Sequence, residues 1–158
     1  MDAAVTPGAR QGYRMRCLRD IRVEVAVDLD REGPVEVVTD FDALSGSIAR
    51  IAAGGGFALR LACEGGPCAD ADRVIEDCAL ELGAALREAL GPAASGVAFR
   101  GAPGSDAAFF ESFGRALGAR FELDLRGQEP QAASPDCYLG VGRAIRAAAQ
   151  SREGISRR

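Results

Sequence analysis

Residues Asp70 to Gly91 read DADRVIEDCALELGAALREALG, and the spacing of their apolar members sets the frame for the rest of the chain. Val74, Ile75, Cys78, Leu82, Ala85, Leu86 and Ala89 recur at helical intervals, so the segment predicts an amphipathic helix. Gly91 and Pro92 stop it. A loop of small and acidic residues, Glu64, Gly65, Gly66, Pro67, Asp70 and Asp72, leads into this helix, and its carboxylates complement the positive end of the helix dipole. The whole chain contains no histidine, which limits the chemistry that such a helix start can support.

The same pattern occurs twice. Asp77-Cys78-x-Leu80-x-Leu82-Gly83-x-Ala85-Leu86-Arg87-x-Ala89 returns as Asp136-Cys137-x-Leu139-x-Val141-Gly142-x-Ala144-Ile145-Arg146-x-Ala148, nine corresponding positions without a gap. Upstream, Ser47-Ile48-Ala49-Arg50 is echoed by Ser112-Phe113-Gly114-Arg115. Two copies are too few for a solenoid, so the repeat predicts one domain over residues 1–158 built from two halves, about 20–91 and 97–150. Gly83 and Gly142 are expected to let helices approach closely.

Outward from the two helices, Ile21 to Asp30 alternates apolar and charged residues and reads as a half-buried strand. Arg31 to Pro34 supplies a turn, and Val35 to Thr39 is expected to return as its hairpin partner. A helix begins near Asp40 or Phe41 and ends at Gly54-Gly55-Gly56, since glycine costs about 1 kcal/mol per helical position. Phe57 to Cys63 is a strand with Phe57, Leu59, Leu61 and Cys63 facing the helices. Val97 to Arg100 reads as a remnant strand, Asp106 to Gly118 as a helix, Arg120 to Arg126 as a strand and Ser134 to Gln150 as a final helix, with Ser134 and Pro135 suited to N-cap and N1. About one hairpin of chain is missing between Gly91 and Asp106. Residues 1–12 and 151–158 are expected to fray. The result is an α/β protein, a two-layer sandwich with helices on one face of a mixed sheet.

Composition bounds the class. At 158 residues and 47% hydrophobic content the chain can bury a sizeable core, and no apolar run approaches the ~20 residues of a membrane helix. The opening residues lack the apolar core of a secretory signal, which makes the cytoplasm the expected address. A net charge of −4, with no basic run interleaved with aromatics, argues against nucleic-acid binding. Five cysteines form no zinc pattern. Cys63 and Cys68 are close enough for a loop disulfide, although buried thiols are the commoner use of cysteine.

Composition also removes mechanisms. The chain has no histidine, lysine, tryptophan or asparagine. It therefore cannot form a Ser-His-Asp triad, a Cys-His pair, a lysine Schiff base or a lysine-bearing phosphate loop. Carboxylates, arginines, tyrosines and thiols remain.

The helix from Asp70 resembles that of imidazoleglycerol-phosphate dehydratases, in which a loop with adjacent histidines leads into a Glu-Asp pair and an LG-x-A-L-x-x-A-L-G run. Glu76, Asp77 and the run from Leu82 to Gly91 match that pattern, while Asp72 and Arg73 stand where the histidines would be. Phe41-Asp42-Ala43-Leu44 resembles the family's Phe-Asp-His-Met turn with alanine for histidine. Gln131, Ala132 and Pro135 occupy the place of a second ligand set, and Leu18 that of an N-terminal glutamate. The resemblance implies a ribosomal protein S5 domain 2-like fold, a duplicated sandwich whose second repeat is shortened. In that family histidines and glutamates hold paired manganese ions, and nitrogen ligands of suitable softness are lacking here. No metal or other cofactor is therefore expected. An all-oxygen magnesium or calcium site at Asp70, Asp72, Glu76 and Asp77 is the alternative, without a recognised loop pattern.

What the resemblance leaves is a scaffold without its dehydratase machinery, and fold alone does not carry function across that loss. One reading is a repurposed, metal-independent lyase, isomerase or cyclase acting on a small molecule, with Asp42, Asp72, Glu76 and Asp77 as candidate acids or bases and Arg73 binding an anionic substrate. The other is a non-catalytic pseudoenzyme acting as a binding or scaffold protein, its acidic cluster serving only the helix dipole and surface ion pairs. A closed pocket holding one buried carboxyl separates the two. Tyr13 and Tyr138 are possible proton donors whose partners the sequence does not identify. Family members assemble from trimers, and a shortened half leaves a strand edge to cover, so a homo-oligomer, dimer or trimer, is expected.

Overall fold

The computed structural model describes residues 10–126 and 133–156, with 152–156 as helical backbone only. Strand β1, Gln11–Leu18, and β2, Ile21–Asp28, pair antiparallel along their full length, from Gln11 opposite Asp28 to Leu18 opposite Ile21. Arg19 and Asp20 join them with φ of 51° and 65°, the positive φ at both central residues that a tight two-residue hairpin turn requires. This hairpin corrects the expected one. Strand β3, Val35–Val38, does not return along β2, because β4, Ala58–Gly65, takes that edge antiparallel. Instead β3 lies parallel to β4 on its far side, giving the order β1-β2-β4-β3. Helix α1, Asp42–Gly55, makes the crossover that a parallel pair needs.

Fraying is also corrected for Gln11 and Gly12, which belong to β1; residues 1–9 lie outside the described residues. Gly12 is buried, and a Cβ there would stand 1.9 Å from the Ala85 carbonyl oxygen. Only glycine lets this strand lie so close to the next helix.

The expected helices form with small shifts of boundary. Helix α1 closes on Gly56, whose φ of 64° places it in the left-handed conformation favoured at helix ends. Helix α2, Ala71–Leu90, is capped by Asp70, whose carboxylate accepts the Asp72 N–H at 3.0 Å, and it ends at Gly91. A 3-10 turn over Gly91–Gly96 leads to β5, Ala98–Gly101, then α3, Ala107–Leu117, β6, Arg120–Leu123, and α4, Pro135–Ser156. Strands β5 and β6 pair parallel in a sheet of their own. The order β3-α1-β4-α2 is thus followed by β5-α3-β6-α4, each with a parallel strand pair. Among the described residues the second set has no counterpart of the β1–β2 hairpin.

Layering differs from the expected two-layer arrangement. Helices α1 and α2 pack on the four-stranded mixed sheet, α3 and α4 pack on β5 and β6, and the helix pairs meet back to back, α1 on α4 and α2 on α3. The helices therefore lie between two sheets. One apolar cluster runs through both, from Val23, Val25 and Leu61 on the large sheet through Ile51, Leu82 and Leu86 to Phe110, Phe113 and Ile145. A Cβ at Gly83 would lie 2.7 Å from the Phe113 carbonyl oxygen, and one at Gly142 2.1 Å from that of Ile51. The repeat-related glycines thus set the α2–α3 and α4–α1 crossings, as expected. No helix among the described residues is long and apolar enough to cross a membrane.

Candidate functional site

Helix α2 turns one acidic face toward the hairpin. Residues four apart on a helix share a face, and Asp77 and Glu81 are both buried there, 6% and 4% exposed. The covering strand β1 alternates in the opposite sense to an ordinary amphipathic strand. Tyr13 and Met15 are exposed on the outer face, while Arg14 and Arg16 stand opposite the inward-facing Val25 and Val23 and so lie on the helix side. Their guanidinium groups reach Glu81. Arg14 Nε lies 3.3 Å from Glu81 Oε2 and Arg16 Nη1 lies 3.7 Å from Oε1. A buried carboxylate needs such partners, because removing its water costs more than any one exposed pair returns.

Asp77 lacks that compensation. Among the described residues it accepts no hydrogen bond and lies in no ion pair within 4.0 Å. Burial pushes its pKa above the ordinary carboxylate value; the charges of Arg16 and Arg73 pull the other way, and those of Glu76 and Glu81 reinforce the rise. The repeat makes the asymmetry plain. Asp136, the counterpart of Asp77, is exposed, since no hairpin covers α4 among the described residues, and Gly140 stands at Glu81's place.

The structure does not gather the remaining candidates into one cluster. Asp72, Arg73 and Glu76 lie exposed on the first turns of α2, and Asp42 is exposed at the start of α1. The residue of that turn which reaches the α2 entrance is Asp40, whose Oδ2 accepts the Gly65 N–H at 2.8 Å. Cavities of about 940, 630 and 550 Å³ open on the outer face of the large sheet, beside Arg14 and Arg87, and between the end of α1 and α4; none is lined by Asp72, Arg73, Glu76 or Asp77.

Sequence reasoning missed Glu81, Arg14 and Arg16. The signal was present in the alternation of Arg14, Met15 and Arg16, but with apolar residues facing water and arginines facing the helix it reads as no strand at all. Both tyrosines find partners at a distance. The Tyr138 hydroxyl donates to Asp106 Oδ2, which also accepts the Ala133 N–H at 3.2 Å, and burial drives the phenol pKa well up. Tyr13 donates to Glu24 at 3.1 Å. The Cys63–Cys68 disulfide does not form: Cys63 is buried beside Cys78 and Cys68 is exposed, all as free thiols. Cys78 and Cys137 are buried packing residues, as expected.

The manganese site implied by the resemblance does not fit this donor set. Histidine is absent from the whole chain. No group of three or more histidine, cysteine, aspartate or glutamate side chains converges among the described residues, so the all-oxygen alternative at Asp70, Asp72, Glu76 and Asp77 has no geometry to support it. Gln131 and Ala132 lie outside the described residues, and Pro135 is the first residue of α4.

No family model matches the chain. The chain is similar to the histidine biosynthesis bifunctional protein HisB of Stenotrophomonas maltophilia strain R551-3, 36% identical over 88 residues, which is 56% of this chain and 25% of that protein. It is likewise 38% identical over 82 residues to the protein of the same name from Xanthomonas axonopodis pv. citri strain 306, covering 52% of this chain and 22% of the relative. The match thus spans about a quarter of the length of these curated relatives. Over roughly half of its length the chain is thus similar to proteins named as histidine biosynthesis bifunctional proteins.

Proposed function

We propose that the chain is a single-domain, imidazoleglycerol-phosphate dehydratase-like protein of the duplicated, ribosomal protein S5 domain 2-like type, repurposed for metal-independent acid–base chemistry on a small anionic molecule. The observation that carries this reading is Asp77, buried and without a hydrogen bond among the described residues, at a position where the resemblance places the family's Glu-Asp pair. Its carboxylate oxygens keep an opening to solvent, since no buried side-chain oxygen among the described residues lacks a hydrogen-bond partner, so a proton can reach and leave a group that burial already biases toward protonation. Held protonated beyond the ordinary range, Asp77 is suited to give a proton to a leaving group and take one back, as dehydration, isomerisation or cyclisation require. Arg73 on the adjoining exposed turn offers a planar donor fork to an anionic substrate, and Asp72, Glu76 and Asp42 are the solvent-side acids and bases. A biosynthetic role in the cytoplasm and assembly into a dimer or trimer complete the proposal.

The alternative, a non-catalytic binding protein, draws on the three cavities, none of which reaches Asp77. Turnover by carboxylate variants separates the two. In whichever small-molecule conversion the wild type performs, Asp77→Asn is expected to lose at least about 100-fold in rate while remaining folded. Unchanged turnover in Asp77→Asn, Glu76→Gln and Asp72→Asn would reduce the cluster to helix-end electrostatics and favour the binding protein.

A further inference from the structure

Strand β4 has a neighbour on each side, β2 and β3. Strand β6, its counterpart in the second set, has one among the described residues. The Arg120 N–H bonds to the Val97 carbonyl at 2.9 Å and the Asp124 N–H to that of Gly101 at 2.8 Å, so the even-numbered residues of β6 address β5. The N–H and C=O groups of Phe121 and Leu123 therefore point to the other edge, where no strand lies among the described residues. This open edge carries a self-complementary code. Arg120 and Glu122 are exposed on the outer face, and Phe121 and Leu123 are partly buried toward the helices.

We infer that two copies of this chain pair antiparallel through β6, with the two-fold axis passing through Phe121, to form a continuous β5-β6-β6-β5 sheet. Charge selects that register. With Phe121 opposite Phe121, each Arg120 stands opposite a Glu122 of the other copy, giving two opposite-charge pairs on one face. Shifting the axis to Glu122 or to Arg120 sets like charges directly opposite. The partners are ready for it. Arg120 has no ion-pair partner among the described residues, and the Arg100 guanidinium occupies only Oε2 of Glu122, at 2.6 Å, leaving Oε1 open. The backbone fits as well: each Phe121 exchanges both hydrogen bonds with its mate, and each Leu123 N–H meets the Ala119 carbonyl of the other copy. On the helix side the second Phe121 extends an aromatic group in which Phe121 already lies 5.6 Å from Phe99 and 5.9 Å from Phe113.

This deepens the assembly proposed above and rests on it. Sedimentation of the full chain over a wide concentration range tests both. Wild type is expected to dimerise. Arg120→Glu and Glu122→Arg, both on the exposed face, are each expected to weaken dimerisation at least about tenfold with an unchanged circular dichroism spectrum. An equimolar mixture of the two variants should dimerise again, since each supplies the charge that the other needs. A wild type that stays monomeric overturns the assembly and the edge together. An oligomer that the single variants leave intact, or a mixture that fails to recover, overturns the β6 interface alone.

Discussion

Asp77 bears a burden that Glu81, one turn later on the same face of α2, does not. Glu81 has two guanidinium groups within 4 Å, whereas Asp77 has burial and only the longer-range pull of Arg16 and Arg73. The sign of its effect on stability follows from linkage. A carboxyl whose folded pKa lies above its unfolded value of about 3.9 binds more protons in the native state. Its contribution is fully favourable below the unfolded pKa and is lost as pH rises through the folded one. Asp77→Asn, which never ionises, should therefore melt higher than wild type at pH 7, with the gap closing as pH falls toward 4; thermal melts across pH measure it. A variant more stable and less active than wild type is the signature of a residue kept for use and not for folding. At this scale the sequence singled out Asp77 within an acidic cluster but had no means of separating it from Glu76, since the distinction depends on which side of α2 the hairpin covers.

The helices were the most legible elements, because period, cap and stop all agree at α2 and the period returns at α4, although α4 runs on to Ser156, past the expected end at Gln150 and through residues expected to fray. Strand β1 was the least legible. Its arginines face inward to serve Glu81, so its pattern obeys a pairing fifty residues or more away in the chain and not its own alternation. The position of β3 was equally hidden: a strand after a short turn reads as a hairpin, and only the competing claim of β4 on the edge of β2 sends it elsewhere. The glycine pair was read correctly for a local reason, since both sit at the same repeat position on an apolar helix face. Their substitution gives a graded expectation. Gly142→Ala, whose Cβ would meet backbone at 2.1 Å, should destabilise by about 1–3 kcal/mol despite the ~1 kcal/mol that alanine adds to helix propensity. Gly83→Ala, meeting backbone at 2.7 Å, should lose less. Denaturant midpoints that leave both variants at wild-type stability would contradict the close crossings.

Across the described residues, two sheets enclose four helices around one core, and a hairpin on one side without a counterpart on the other makes the two halves unlike. That asymmetry buries Asp77 and exposes Asp136, opens the edge of β6, and places the candidate site on the covered half alone. The layering was illegible because the repeat describes each half but not how the halves meet. On the metal, the purified chain is expected to hold no stoichiometric manganese and to lack imidazoleglycerol-phosphate dehydratase activity, since Ala43, Asp72 and Arg73 stand where the resemblance places histidines. Elemental analysis showing one or more manganese ions per chain would contradict this.

The proposed chemistry turns on Asp77, a mostly buried carboxyl outside any ion pair among the described residues, and its titration is the most direct test. Carboxyl carbon chemical shifts followed by NMR across pH, with the Asp77 signal assigned by its loss in Asp77→Asn, should give a pKa above the ordinary aspartate value of about 3.9. A midpoint at or below that value would mean that Arg16 and Arg73 hold Asp77 as a stabilised anion, and the proposed acid–base role would fall.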